Sequence, residues 1–342
     1  MSKLLKLCLA LAMFAAAGLA QAQSEAQQQK QRQLDQPGNN APVWREVRKE
    51  GSQENYTSIK GREANVLVQS AGNTWRQIRN GPVTFYGGWL VVIVTLALAA
   101  FYIVKGPLKL HDKPSGRMVE RFTLAERWAH WMMAISFCVL GVTGLTTLFG
   151  KHVVLPVIGY TLFAWLSALA KNLHNFVAPL FIASLLVFIV MFLKDNVYQK
   201  GDLGWFAKAW RMFVKGEHIP SWRFNMGEKA YFWFGVVGLC LVLGVTGLIL
   251  LFPNFDQVRA TMQLASIVHA VAAMLMIALA LGHIYVGTIG VEGAFRNMAD
   301  GATDEVWAKE HHELWYNEVK RGAKLAPGGA VPAGAPHMKE KQ

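Results

Sequence analysis

Cysteine is scarce in this sequence. Among 342 residues only Cys8, Cys138 and Cys240 are cysteines, and they form no Cys-x-x-Cys motif. This spacing excludes a disulfide framework and a thiol-based zinc or iron–sulfur site.

Acidic residues are missing from the cores of the long apolar stretches, which argues against a proton or cation pathway through them. The chain is 53% hydrophobic and its apolar residues come in long uncharged blocks, as in a polytopic membrane protein. Its net charge of +12 lies in the connecting loops and fits the positive-inside rule. No basic stripe is interleaved with aromatic residues, so we expect no nucleic-acid partner.

The apolar blocks predict an all-α fold with five transmembrane helices. We expect these helices at about 84–104, 124–149, 173–192, 230–252 and 265–289. The loops after the first, third and fifth helices are rich in lysine and arginine, whereas the other two contain only Lys151, Lys171 and Arg259. The positive-inside rule therefore predicts a cytoplasmic C-terminus. An apolar segment near 160–169 is predicted to lie at the membrane interface.

The segments outside these helices have distinct compositions. Residues 1–22 have the positive start, apolar core and small-residue cleavage pattern of a signal peptide, with an uncleaved anchor as the alternative. Residues 23–83 begin with a glutamine-rich stretch and are predicted to be periplasmic and partly disordered. Residues 84–104 would then be an extra N-terminal helix before a membrane domain at 117–320. We expect residues 321–342 to form a disordered cytoplasmic tail.

Four histidines fall within or at the edge of the predicted membrane helices. His269 and His283 are fourteen residues apart on one helix, so they project from nearly the same face, about 21 Å apart. The helix directions put His174 at the periplasmic depth of His269, and His130 at the cytoplasmic depth of His283. Because histidine in a membrane is normally paired or liganded, we predict the pairs His174/His269 and His130/His283.

Two imidazoles with no carboxylate or thiolate ligand beside them suit a six-coordinate b-type haem that transfers electrons. Zinc or a di-iron centre would want three or four protein ligands. The sequence therefore predicts two b-type haems, one in each leaflet. Arg121 and Arg127 are candidates to meet the propionates of the cytoplasmic haem, or are simply positive-inside residues.

The sequence Val-Leu-Gly-Val-Thr-Gly-Leu occurs twice, at Val139–Leu145 and Val242–Leu248. Two interpretations stay open. The glycines allow close helix–helix contact, or they clear space for a flat macrocycle beside the helix. Alignment of the two copies puts Trp233 opposite His130, so only one copy has a histidine there.

Asn225 and Gly227 lie just before the fourth helix, on the predicted cytoplasmic side. Their amide and bare backbone would suit a hydrogen bond to a quinone carbonyl. On the residues alone, an ordinary helix N-cap is the preferred interpretation.

Several motifs together resemble the gamma subunit of formate dehydrogenase, a cytochrome b556. They are Arg121-Phe-Thr-x-x-Glu-Arg-x-x-His-Trp131, Leu173-His174, Phe224-Asn-x-Gly227, the His269/His283 pair and Trp307-Ala-Lys-x-His-His-x-x-Trp-Tyr316. The resemblance covers about residues 117–320 and implies a four-helix bundle with two b haems, carried by the pairs that depth also predicts. It further implies a quinone site at Asn225, Gly227 and His283.

The same resemblance implies a bacterial inner-membrane complex. This chain would anchor a periplasmic molybdenum or tungsten (alpha) subunit through an iron–sulfur (beta) subunit, and would hold no formate site itself. The first 116 residues resemble a longer variant of the family through Asn73-x-Trp-Arg-Gln-x-Arg-Asn-Gly-Pro82. That extension would brace the iron–sulfur subunit or bind an additional partner.

Two alternatives remain. One is the cytochrome b subunit of a related hydrogenase or thiosulfate reductase complex. The other is a haem-free anchor or transporter with structural histidines, which would be expected to show discontinuous helices or polar residues at mid-membrane.

Overall fold

Five helices in the structure, a computed structural model, are long and apolar enough to cross a membrane. This confirms the predicted polytopic helical fold. The structure describes residues 71–255, 257–325 and 338–339. The predicted signal peptide, the glutamine-rich segment and most of the predicted tail lie outside these residues. The five spans are α1 (Ala71–Lys105), α2 (Leu124–Val153), α3 (Leu155–Phe192), α5 (Met226–Leu251) and α6 (Arg259–Gly290).

Shorter elements lie between and after the spans. The short helices are α4 (Asp202–Lys215), α7 (Ala294–Ala299), α8 (Glu305–His311) and α9 (Glu313–Leu325). Three short strands are β1 (Met118–Glu120), β2 (Ala302–Asp304) and β3 (Met338–Lys339), with β1 antiparallel to both others. Residues 321–325, predicted to be disordered, therefore belong to α9.

Helix α1 is already helical at Ala71, the first described residue, earlier than the expected boundary near residue 84. The expectation followed hydropathy, which marks lipid depth, whereas charged side chains such as Arg76 do not end a helix. Pro82 has no backbone N–H group to donate, and it lies within a π-helical turn, Arg79–Val83, which allows the helix to continue without that hydrogen bond. The described part of the segment predicted as periplasmic is thus a helical extension of the first span.

Helix α1 packs mainly against α6, the helix that bears two of the four candidate histidines. Trp75 Nε1 donates a hydrogen bond to Ser266 Oγ at 2.8 Å. Gly87 is so close to α6 that an added methyl group would lie 2.7 Å from Met274 Cγ. Gly87 is also the residue that α1 buries, so most of this helix faces outward.

The other four spans form a bundle in which α2 packs on α3 and α5 packs on α6. Its core is a cluster of aromatic and aliphatic side chains. The buried members are Phe122, Ala129, Phe181, Leu185, Phe188, Phe192, Phe232, Val236, Cys240, Met276 and Ala280. The outer faces are apolar too, for example Phe176, which is 81% exposed. An apolar core beneath an apolar surface is what a lipid environment requires.

Helix α3 includes the apolar segment near residues 160–169 that the sequence predicted to be interfacial. The backbone turns at Gly159, which has φ 76° and ψ 175°. Beyond this turn the segment is helical and continuous with the third span. The apparent interfacial segment is therefore the first part of a long helix.

One end of the bundle carries the strands, and we call it the sheet end; the other is the opposite end. Leu108 N donates to Gly290 O at 2.9 Å there, which ties the α1–β1 connection to the end of α6. The ammonium group of Lys229, at the start of α5, is buried and donates to Val197 O and to Asp202 Oδ2 at 3.0 and 2.8 Å. A charge pair buried in this way fixes the α3–α4 connection against α5.

Candidate functional site: two histidine pairs in the bundle

The four membrane histidines lie in two pairs. The rings of His174 and His269 have centroids 6.2 Å apart and an interplanar angle of 70°. The rings of His130 and His283 are also 6.2 Å apart, at 54°. These are the combinations that helix direction predicted, and α6 contributes one ring to each.

A threonine fixes the orientation of each imidazole in the first pair. Thr143 Oγ1 donates its single proton to Val139 O at 2.8 Å, so its 2.9 Å contact with His174 Nδ1 requires the ring to donate. Thr246 Oγ1 likewise donates to a backbone carbonyl and lies 2.9 Å from His269 Nδ1. Both rings therefore carry the proton on Nδ1, which leaves the Nε2 lone pair free to bind a metal.

The second glycine of each repeat lies beside the same two rings. A methyl group added at Gly144 would lie 3.5 Å from His174 Cε1, and one at Gly247 would lie 3.4 Å from His269 Cε1. A methyl group at Gly244, by contrast, would contact Ile182 of α3. Gly244 therefore permits helix contact, and Gly144 and Gly247 give room to an imidazole, while the space for a macrocycle stays a prediction.

The second pair has different neighbours. Tyr231 stacks on His283 with centroids 4.5 Å apart and an interplanar angle of 7°. Phe188 lies 6.2 Å from the ring of His130. His130 Nδ1 is buried without a hydrogen-bond partner among the described residues. Trp233, the repeat counterpart of His130, donates its indole N–H to Asn196 O at 2.9 Å.

The geometry of both pairs fits two axial ligands of one metal centre. Imidazole nitrogen binds transition metals at about 2 Å, so two rings on one ion have centroids about 6 Å apart. The centroid separation is 6.2 Å in both pairs. Among the described residues, neither pair is joined by another histidine, cysteine or carboxylate in a metal-binding group. This donor set suits a bis-histidine b haem better than zinc.

Arg121 and Arg127 are held by the loops of the sheet end. Arg121 Nη2 donates to Arg223 O at 2.7 Å and to Glu228 Oε1 at 3.1 Å, and Arg127 Nη1 donates to Ala299 O at 2.6 Å. The Nε group of each is buried without a hydrogen-bond partner in the described part of the chain. Both residues thus have a structural role, and each keeps one N–H for a further acceptor.

Asn225 is the N-cap of α5. Its Oδ1 accepts from Glu228 N at 3.0 Å, and Glu228 Oε2 accepts from Asn225 N at 2.7 Å, which completes a capping box. At Gly227 an added methyl group would lie 3.2 Å from Trp205 Cη2. The helix-cap interpretation therefore describes this segment's contacts. The segment lies just ahead of Tyr231, the residue that stacks on His283.

The tail motif packs over the sheet end. Arg121 lies 5.2 Å from the ring centroid of Trp307, and the ring of His311 stacks on Trp307 at 4.6 Å. His312 is 1% exposed, and its Nδ1 lies 2.6 Å from Trp222 O. Burial and, after it, the charge of Arg121 hold the pKa of His312 well below its usual value. A neutral imidazole is therefore built into this layer.

Sequence reasoning missed Thr143, Thr246 and Tyr231. The signal for the two threonines was present, since each occupies the same place in the repeat and each repeat is followed, one helix later, by a histidine. No comparable signal marks Tyr231, because stacking on His283 depends on how α5 is rotated against α6.

Two proteins of similar sequence are named as cytochrome b556 subunits of formate dehydrogenases. The chain is 32% identical over 212 residues to the formate dehydrogenase cytochrome b556(fdo) subunit of Escherichia coli strain K12, covering 59% of this chain and 94% of that protein. It is 27% identical over 215 residues to the nitrate-inducible cytochrome b556(Fdn) subunit of the same strain, covering 60% and 93%.

The region that a family model matches contains both histidine pairs. The family model described as prokaryotic cytochrome b561 matches residues 121–301, more than half of the chain, from the residue after β1 to the residue before β2. The five apolar helices, the paired imidazoles and this match agree, and the chain belongs to the prokaryotic cytochrome b561 family, a family of membrane cytochromes b that transfer electrons.

Proposed function

We propose that this chain is the membrane cytochrome b subunit of a respiratory formate dehydrogenase. It would carry electrons from an iron–sulfur subunit at one membrane face to quinone near the other. The observation that carries the proposal is the presence of two histidine pairs along α6, each with a ring separation of 6.2 Å. The relatives named as formate dehydrogenase cytochrome b556 subunits favour formate dehydrogenase over the hydrogenase and thiosulfate reductase alternatives.

His174 and His269 would hold one b haem, and His130 and His283 would hold the other. Each bound haem would supply a reversible one-electron site, and the protein supplies ligands, spacing and a water-poor surrounding. Because α6 bears a ligand of each pair fourteen residues apart, it fixes the spacing of the two centres at about 21 Å along its axis. The apolar core between the pairs keeps this interval dry.

The proposed orientation puts the sheet end in the cytoplasm. Its connections carry most of the basic side chains, whereas the opposite end has only Arg76, Arg79, Lys151, Lys171 and Arg259 among the described residues. The His174/His269 pair would then lie near the periplasm, within reach of the iron–sulfur subunit, with the molybdenum or tungsten subunit beyond it. In this orientation α1 crosses from the periplasm and packs along α6.

The quinone would bind at the sheet end, near Asn225, Gly227 and His283. Support comes from the short chain distance between the cap of α5 and Tyr231, which stacks on His283 at 4.5 Å. The side-chain oxygen of Asn225 is used by the helix cap, so its amide N–H group is the part available to a quinone carbonyl. The cap would thus orient the amide that donates.

The histidine pairing is tested by single substitutions to alanine. We expect His174→Ala and His269→Ala to remove the same haem, and His130→Ala and His283→Ala to remove the other, because a haem needs both of its axial ligands here. A pyridine haemochrome count gives the number of haems, and a redox titration of the remaining signal tells which one is left. Loss in any other combination would refute the proposed ligand sets.

The threonines are tested by Thr143→Val and Thr246→Val, which keep the shape and remove the acceptor of the Nδ1–H group. We expect each change to weaken binding of the same haem by about 10- to 100-fold, as is typical when a ligand loses its orienting partner. Haem retention in a titration with a competing apo-protein measures this effect.

The matched control is Thr146→Val on the same helix, since Thr146 Oγ1 donates to Val142 O and makes no histidine contact in the structure. Equal haem loss in the control would mean that the threonines act only through helix stability.

The quinone site is tested by Asn225→Ser. Serine also caps helices well, so α5 should keep its start, while the amide donor is lost. We expect both haems to remain bound and quinol formation by the intact complex to fall about fivefold or more, the effect of losing one hydrogen bond of about 1 kcal/mol. Full turnover in Asn225→Ser would show that Asn225 acts only as a helix cap and does not bind quinone.

A further inference from the structure

Three potential metal ligands from distant parts of the chain meet at the sheet end. They are His111 in the α1–β1 connection, His218 in the α4–α5 connection and Glu310 in α8. Their ligand atoms all lie within 4.8 Å of one another. His111 Nδ1 and His218 Nε2 lie 3.5 and 3.4 Å from the same atom, Glu310 Oε2.

These separations suit metal ligands better than hydrogen bonds. A hydrogen bond from a ring nitrogen to oxygen is usually about 2.7–3.2 Å long. Ligand atoms on a tetrahedral zinc ion with bonds of about 2.1 Å are about 3.4 Å apart. The centroids of the His111 and His218 rings are 4.3 Å apart. Their side chains are 56% and 41% exposed, so both rings have room to rotate until their nitrogens face one ion.

The carboxylate is held in place before any ion arrives. Glu310 Oε1 accepts from the backbone N–H groups of His111 and Asp112 at 3.1 and 3.0 Å, and its side chain is 7% exposed. The α1–β1 connection thus folds around the carboxylate of Glu310, and this places the ring of His111 beside it. His218 follows Gly216, whose φ of 71° ends α4 in the left-handed region that favours glycine.

The neighbouring groups already have partners. The carboxylate of Glu217 lies 3.6 Å from Arg211 Nη1. The ring of His311 lies 6.4 Å from that of His218, and its Nδ1 lies 3.2 Å from Trp307 O. The cluster therefore offers two imidazoles and one carboxylate, with its exposed side open to water.

We propose that His111, His218 and Glu310 bind one divalent transition-metal ion of the zinc type, with water in the fourth position. Two imidazoles and a carboxylate are a ligand set that zinc accepts. The ion would clamp three connections together, the one after α1, the one between α4 and α5, and the tail that begins with α8. His111 and Glu310 lie just outside residues 121–301, the region that the family model matches. The proposal stands whether or not the proposed function is correct.

The test is zinc binding to the full chain with its haems bound, purified in detergent through a tag without histidine. Equilibrium dialysis against buffered free Zn²⁺, followed by elemental analysis, gives the zinc bound per chain. We expect one saturable site. His111→Ala and His218→Ala should each weaken it at least about tenfold, with the haem content unchanged. Zinc should also raise the unfolding temperature of the parent protein but not of His218→Ala.

Two further variants make the result specific. His152→Ala removes an exposed histidine of the opposite end and should bind zinc as tightly as the parent protein. Glu310→Gln keeps an oxygen for the backbone N–H groups, removes the charge and should weaken binding. The absence of a saturable site in the parent protein would overturn the proposal. So would an equal loss of affinity in His152→Ala.

Discussion

The arrangement of the helices depends on the free-energy cost of burying imidazole side chains in an apolar bundle. A histidine at membrane depth needs a partner or a ligand, and here each of the four faces another across 6.2 Å. Helix α6 satisfies this requirement twice, because its fourteen-residue spacing keeps both rings on one face. The other helices are arranged so that α2 and α3 each bring one more ring to the level where α6 presents its own.

The repeated sequence explains why one pair is nearly symmetric and the other is not. In each copy a threonine orients, and a glycine makes room for, a histidine on the following helix of the hairpin. At the other level the symmetry is broken. His130 has Trp233 as its counterpart, and that tryptophan holds the α3–α4 connection instead. Tyr231 stacks on His283 in this second pair, so the two histidine pairs have different surroundings.

The number of spans and the family could be predicted from the sequence because hydropathy and spaced motifs are local signals. The level of each histidine followed from helix direction, which the basic loops report. Boundaries were harder. Charged residues continue α1 toward Ala71, and the segment after Gly159 is one helix with α3. Contacts that depend on helix rotation, such as Tyr231 on His283, leave no periodic mark in the sequence. The same is true of three-residue strands that pair across most of the chain length, and of the meeting of His111, His218 and Glu310.

The central claim is that each histidine pair is the axial ligand set of one b haem. The most direct measurement is a dithionite-reduced minus oxidised spectrum of the purified parent chain, calibrated by pyridine haemochrome against protein concentration. The account predicts a b-type spectrum and two haems per chain. A single haem would contradict the assignment of one pair, and a chain that purifies folded without haem would contradict both.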